Sequence, residues 1–269
     1  MFTAALSIQQ IRNELILSGL FSERCQLEAI PGGAVNKSFV LLDKQARYFV
    51  KVFACDVMVN IDRAEQFSVQ KHLAVAGLAP RPCYLSADQH FQVDEWAQGQ
   101  SLLEAKLTNT EKYQYLANTL ANIHSLEKMP TFNLAALDLP AKWREYLASM
   151  QTELDLPDMQ HLEARWYSMT NEYSCVCHND VSLQHVLFDA SGIVFDWEYA
   201  AYSSPYFDIA SSLLINHTDL ACEHILLAQY AVITGIPLSE VAQKVALMKP
   251  IASLTSQLWF AAAKMPVAK

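Results

Sequence analysis

Apolar positions alternate with polar ones in short runs over the first third of the chain, which is the pattern of half-buried strands. Five such runs are separated by turns that contain Gly, Pro, Asp or Lys. The runs are 27–30, 38–42, 48–53, 83–86 and 91–95. Because short turns join the first three of them, we predict a small antiparallel sheet of five strands.

Apolar residues recur at helical spacing in the rest of the sequence. Two helices are predicted beside the sheet, at 7–20 with Ser7 as its cap and at 61–76. Further helices are predicted at 110–124, 142–150, 159–173, 205–215, 219–234, 238–247 and 251–263. We therefore predict an α+β fold of two lobes, 1–96 and 97–269, the second mostly helical with an inserted β-hairpin.

One stretch interrupts the helical pattern of the second lobe. Its apolar runs are 175–177, 186–188 and 193–195. Asp180 follows the first run, Asp196 directly follows the third, and a turn is predicted at 189–192. A hairpin at this turn would bring both carboxylates into one cleft. Phosphoryl transfer from Mg-ATP requires a carboxylate that accepts a proton beside one that holds a metal ion.

The motifs of this stretch resemble those of a known superfamily. His178-Asn179-Asp180, position 185 and Asp196 are similar to the HxDxxxxN and DxE signatures of the aminoglycoside phosphotransferase and choline kinase superfamily. The segment 196–210 most resembles the thiamine kinase and choline kinase branch. The resemblance implies a protein-kinase-like fold, ATP and Mg²⁺ as cofactors, and phosphorylation of a small-molecule hydroxyl. Thiamine or choline is the favoured type of acceptor, and an aminoglycoside or another small alcohol is the alternative.

Asp180 is the predicted catalytic base, because an attacking alcohol must lose its proton to a group within hydrogen-bond reach. The alternative is a loop aspartate that makes a local turn bond. The resemblance implies that His178 is a structural part of the catalytic loop and that Asp208 steadies this loop. From the sequence alone, Asp208 could equally interact with the N-terminus of the helix at 205–215.

Asp196 is the predicted metal ligand, since Mg²⁺ prefers carboxylate oxygens. The superfamily has Asn at the position of His185, and an imidazole suits softer ions such as Mn²⁺ better. Three interpretations remain open. His185 ligates Mg²⁺ or Mn²⁺, or the amide of Gln184 replaces it, or the second metal site is lost and the protein is a non-catalytic nucleotide-binding pseudokinase.

Five residues of the first lobe are predicted to contact the nucleotide. Lys51 lies between two valines of a strand and could hold phosphates, or simply face solvent. Glu65 could pair with Lys51, or interact with a helix N-terminus. Gly32 and Gly33 could cover the nucleotide, or form a hairpin turn. Glu95 lies in the predicted hinge between the lobes, 94–99, where the superfamily holds adenine through backbone groups.

The acidic and aromatic segment after Asp196 is the candidate substrate pocket. Glu198, Trp197 and Tyr202 could bind a cationic alcohol, because aromatic faces and a carboxylate both attract cations. The alternative is that some of these aromatic residues belong to the core.

Composition narrows the classes of function further. The formal net charge is −9, with 52% hydrophobic and 17% charged residues, which indicates a packed core. An acidic chain is a poor partner for nucleic acid, whose binding depends on cationic contacts to phosphate. It suits a cationic substrate better. No apolar run is long enough for a transmembrane helix, so no membrane partner is expected.

The scattered cysteines and the N-terminus, which lacks the hydrophobic core of a signal peptide, predict a cytoplasmic protein with reduced thiols. Cys175, Cys177 and His178 resemble a metal-binding run. Zinc sites usually carry a second pair of ligands nearby in sequence, and none follows here. The sequence therefore favours buried thiols over a metal site.

Overall fold

The computed structural model describes residues 6–30, 36–53, 62–126, 134–150, 158–188 and 192–263. The chain divides into two compact units, 1–98 and 99–269.

The N-terminal unit is an antiparallel sheet with two helices. Its strands are β1 (Gln26–Ile30), β2 (Lys37–Asp43), β3 (Ala46–Val52), β4 (Pro82–Leu85) and β5 (Phe91–Glu95). The helices are α1 (Ile8–Leu17) and α2 (Arg63–Val75). The strand order is β1-β2-β3-β5-β4, and every neighbouring pair is antiparallel. The sheet predicted from the alternating runs is therefore present.

The register of the sheet separates an apolar face from a polar one. Val50 on β3 is fully buried and lies opposite Phe39 on β2 and Val93 on β5. Lys51 lies opposite Ser38 and Gln92, and its side chain points to the other face because side chains alternate along a strand. The valines of β3 thus belong to the core, and Lys51 does not.

The C-terminal unit contains six α-helices and four short strands within its described residues. The helices are α3 (Asn109–His124), α4 (Leu139–Ser149), α5 (Met159–Glu172), α6 (Pro205–Ile215), α7 (Leu220–Thr234) and α8 (Leu238–Ala263). The strands are β6 (Gln100–Ser101), β7 (Cys175–Cys177), β8 (Leu187–Phe188) and β9 (Ala201–Ser203). Helix α3 packs mainly against α7, and α6 against α8. No helix of the described residues combines the length and apolarity needed to cross a bilayer.

Helix α8 corrects one prediction. The sequence predicted two helices, at 238–247 and 251–263, because a proline usually ends a helix. The structure has one helix that continues through Pro250. Met248, Ile251 and Leu254 are buried on both sides of the proline. Packing of these side chains favours a continuous helix enough to offset the missing backbone hydrogen bond.

The strands predicted at 175–177, 186–188 and 193–195 also pair differently from a simple hairpin. β7 pairs with β9, and β8 pairs with β6. The predicted third strand is reduced to a single bridge between Val186 and Val194, flanked by backbone hydrogen bonds at 187–193 and 185–195. The inserted hairpin therefore exists, but it is short. Most of its strand residues pair with other parts of the unit.

Candidate active site

The loop that carries Asp180 begins where β7 ends. All three residues of β7 are buried, and His178 after it is fully buried as well. Asn179 has a φ of 66°, in the left-handed region that Asn tolerates better than most residues. This turn leaves Asp180 only partly buried. We call residues 178–185 the Asp180 loop.

Asp208, in the first turn of α6, holds the start of this loop. One carboxylate oxygen accepts the backbone N–H of His178 at 2.8 Å, and the other accepts that of Asn179 at 2.8 Å. The carboxylate is fully buried and also lies 3.2 Å from Nε2 of His124. Hydrogen bonds to an ionised acceptor are about twice as strong as neutral ones. Both loop N–H groups therefore have a strong, fixed acceptor.

His178 connects the positions of the two candidate carboxylates. Its Nδ1 accepts the backbone N–H of Asp180 at 3.2 Å. Nε2 must then carry the ring proton, and it donates to the carbonyl of Phe195 at 2.8 Å. Burial lowers the pKa of His178 to about 4. The ring is thus neutral near pH 7, and it bonds to the backbone of Asp180 and of the residue before Asp196.

Asp196 lies at a left-handed position, with φ 66° and ψ 54°. It precedes a short 3-10 helix, Trp197–Tyr199, and is partly buried. Phe195 before it accepts from His178 and donates its N–H to the carbonyl of His185 at 2.8 Å. The backbone leading into Asp196 is therefore held from both sides.

His185 has one ring nitrogen committed to the loop. Nδ1 lies 2.8 Å from the carbonyl oxygen of Asp180, and a carbonyl can only accept, so Nδ1 carries the proton. The lone pair is then on Nε2. Histidines that ligate metals commonly donate their other ring N–H to a backbone carbonyl in this way.

The predicted substrate residues differ in their surroundings. Trp197 is 5% exposed, its indole N–H donates to the carbonyl of Val194 at 2.8 Å, and its ring lies 4.6 Å from that of His178. This placement favours the alternative of a core residue. Glu198 and Tyr202 are only partly buried.

Two residues that support the loop were missed by the sequence analysis. His124, from the last turn of α3, contacts Asp208 through Nε2 and the Tyr230 hydroxyl through Nδ1 at 2.9 Å. Asn216, after α6, accepts the N–H of Leu183 at 2.8 Å and donates to the carbonyl of Val181 at 3.3 Å. Neither residue belongs to a local motif, so spacing alone gave no signal for either.

In the N-terminal unit, Lys51 is partly buried, with Nζ 5.9 Å from the centre of the Phe53 ring. Glu65 is exposed in the first turn of α2, where its N–H donates to the cap residue Asp62 at 2.9 Å. Glu95 ends β5 and forms an ion pair with Arg81.

The two glycines of the predicted nucleotide-covering loop, Gly32 and Gly33, lie outside the described residues. Their predicted role, like the pairing of Lys51 with Glu65, stays a prediction.

The model of the phosphotransferase enzyme family matches residues 26–237, and the chain belongs to this family. The family and a phosphotransferase activity, both predicted from the motifs around Asp180 and Asp196, are thereby confirmed. No curated protein sequence matches the chain significantly.

Solved structures of small-molecule kinases share the fold. The choline kinase LicA from Streptococcus pneumoniae has a TM-score of 0.71 at 18% identity, over 95% of this chain and 90% of that chain. An ethanolamine kinase from Plasmodium vivax has 0.74 at 11% identity, over 96% and 83%. The GDP complex of aminoglycoside 2'-phosphotransferase-IIIa has 0.65 at 15% identity, over 94% and 91%. These similarities confirm the predicted protein-kinase-like fold.

Proposed function

We propose that this phosphotransferase transfers a phosphoryl group from ATP to the hydroxyl of a small molecule of the thiamine or choline type, in the cytoplasm. The observation that carries the proposal is the double hydrogen bond from Asp208 to the loop N–H groups of His178 and Asn179. It holds Asp180 on a fixed, partly exposed loop. A base for an incoming alcohol needs such a fixed position.

Asp180 takes the proton of the attacking hydroxyl. Its own backbone N–H and carbonyl are both bonded, to Nδ1 of His178 and to Nδ1 of His185. These bonds leave the direction of the backbone little freedom, so the carboxylate is aimed before the substrate arrives. Aiming the hydroxyl oxygen is a large part of catalysis in this class, since phosphoryl transfer depends mostly on positioning and electrostatics.

The residues present could hold a divalent metal ion. Asp196 offers a carboxylate, and His185 offers the lone pair of Nε2 while Nδ1 donates to the Asp180 carbonyl. One carboxylate with one imidazole is a donor set that accepts Mg²⁺ and suits Mn²⁺ better. When bound, the ion supplies charge neutralisation for the phosphates. Gln184, the neighbour of His185, is the alternative second ligand.

In the N-terminal unit the proposal keeps the roles predicted from the sequence. Lys51 holds phosphates, Glu65 directs the lysine, and Gly32, Gly33 and Glu95 contact the nucleotide. The position of Lys51 on the polar face of β3 supports its role, because a core lysine could not reach a ligand. A structure of LicA in complex with AMP, with a TM-score of 0.72 at 18% identity, supports a nucleotide site in this fold.

A cationic acceptor is favoured by the charge of the chain and by the residues that follow Asp196. The formal net charge is −9. Glu198 and Tyr202 are partly exposed and offer a carboxylate and an aromatic face. Trp197 is left out of the pocket because of its burial. An aminoglycoside, itself polycationic, is the alternative acceptor.

The second candidate function is a nucleotide-binding protein without phosphotransferase activity. Its supporting observation is His185 itself, at a position where the superfamily has Asn. Against it stand Asp180, His178 and Asp208, which keep a complete hydrogen-bond network around the candidate base.

The test is an assay of ATP consumption with thiamine, choline, ethanolamine, homoserine, methylthioribose and aminoglycosides, run in parallel with Mg²⁺ and with Mn²⁺. We expect turnover with one acceptor class, and a loss of about 10²-fold or more in kcat for Asp180→Asn with ATP binding retained. Asp158→Asn is the matched control, because Asp158 caps α5 and Asn caps helices equally well. Nucleotide binding without turnover for any acceptor would establish the second candidate.

A further inference from the structure

We propose that Cys175, Cys177 and His124 form a zinc site directly behind the Asp180 loop. Each of the three offers one ligand atom, and these atoms all lie within 4.8 Å of one another. The residues are 6%, 0% and 6% exposed. The two cysteines are alternate residues of β7 and face the same side, whereas His124 comes from the end of α3.

The spacing of the sulfurs matches a shared ion. Their Sγ atoms are 3.7 Å apart. A tetrahedral zinc with Zn–S bonds of about 2.3 Å places two of its sulfurs about 3.8 Å apart. The thiols therefore already stand at the separation that coordination requires, without a change in β7.

His124 has a carboxylate hydrogen-bonded to its other ring nitrogen, as zinc-ligating histidines usually do. Nε2 of His124 lies 3.2 Å from the Asp208 carboxylate, which can only accept, so Nε2 carries the proton and Nδ1 the lone pair. A carboxylate behind a histidine orients the ring and raises its basicity as a ligand. Nδ1 now lies 2.9 Å from the Tyr230 hydroxyl, so the ion binds this nitrogen only after the hydroxyl has moved away from it.

The charge and the chemical type of the three ligands indicate that the ion is zinc. Binding releases the two thiol protons to solvent, together with the second ring proton of His124 wherever that ring is charged. The two thiolates neutralise a divalent cation, which a buried position requires. Thiolate and imidazole are the ligands of structural zinc sites. Since Asp208 holds both His124 and the N–H groups of the Asp180 loop, the zinc would hold the carboxylate that fixes this loop.

The experiment measures zinc in the full chain, purified with zinc sulfate and then desalted. We expect about one zinc ion per chain, and an affinity at least about tenfold lower in Cys175→Ala and in Cys177→Ala. Cys222→Ala is the matched control, because Cys222 is 5% exposed and lies elsewhere, on α7. The control should keep its zinc.

Two results would overturn the site: wild-type protein that retains no zinc, or equal zinc in Cys177→Ala and Cys222→Ala. If the alanine variants at 175 and 177 fail to fold, Co²⁺ replaces zinc as the probe in a chain whose other four cysteines, Cys25, Cys55, Cys83 and Cys222, are alanine. Thiolate-to-cobalt charge-transfer absorption in that chain supports the site, and its absence rejects it.

Discussion

His178 should make the folded protein lose stability in mild acid. Its ring is fully buried, and burial lowers its pKa from 6.5 to about 4. Between these values the unfolded chain binds a proton that the native chain does not. The free energy of unfolding therefore falls as the pH falls through this window. Above pH 6.5 both states are neutral at this group, and it contributes no pH dependence.

The magnitude follows from the size of the pKa shift. One pKa unit corresponds to about 1.4 kcal/mol. Acidification from pH 7 to pH 4 should remove about 3 kcal/mol through His178 alone, which is a large fraction of the stability of a typical domain. This free-energy change is not reduced by solvent screening, because the ring is 0% exposed.

His124 is also buried, but it does not mask the pH dependence of stability that comes from His178. Burial by itself lowers the pKa of His124, but the hydrogen bond to Asp208 and the nearby charges outweigh it and raise the pKa overall. A raised native pKa contributes stability that is complete below the unfolded value and is lost as the pH rises through the native one. His124 therefore acts above about pH 6.5, and His178 below it.

Urea unfolding between pH 4 and pH 7.5, with EDTA present to exclude metal binding, measures the effect. His178→Gln removes the buried ring, and its slope of unfolding free energy against pH should be flatter than that of wild type by up to about 1.4 kcal/mol per pH unit. His224→Gln, which removes an exposed histidine on α7, is the control and should keep the wild-type slope. Equal slopes for wild type and His178→Gln would refute the reasoning.

The remaining predictions concern the phosphate and metal ligands. Lys51→Met should weaken ATP binding or turnover, measured by ATP titration and steady-state kinetics. Glu65→Gln should have a smaller effect, because it removes only the group that directs the lysine. Equal effects of the two substitutions would argue against these roles. His185→Asn should keep or raise the Mg²⁺-dependent rate and lower the preference for Mn²⁺, since an amide oxygen suits Mg²⁺ better than an imidazole nitrogen does. An unchanged metal preference would show that His185 is not a ligand.

The features that sequence predicted well are local ones. Valines on both sides of Lys51 predicted strand β3 and the polar face on which Lys51 lies. This prediction needs only the two-residue period of a strand. Ser7 was predicted as a cap, and its hydroxyl does accept the N–H of Gln10. Asp180 and Asp196 could be singled out because Asp196 directly follows a recognisable apolar run and Asp180 follows another after two polar residues.

The features that sequence missed depend on distant contacts. Trp197 was predicted as a substrate residue with a core residue as the alternative, because composition cannot distinguish an exposed ring from one packed against His178. Pro250 was expected to end a helix, because the burial of its neighbours is visible only in three dimensions. Asn216 supports the Asp180 loop from 33 residues away along the chain. No short motif connects these positions.

The cysteine cluster shows how such a contact changes an interpretation. From the sequence, Cys175 and Cys177 lacked a second pair of ligands, and buried thiols were the better hypothesis. Helix α3 brings His124 to the same place, with Asp208 behind it. The ligand set thus spans two separate elements, β7 and α3, and only their packing could reveal it. The carboxylate of Asp208 is also the acceptor for the Asp180 loop, so replacement of either cysteine would act on this loop through the histidine.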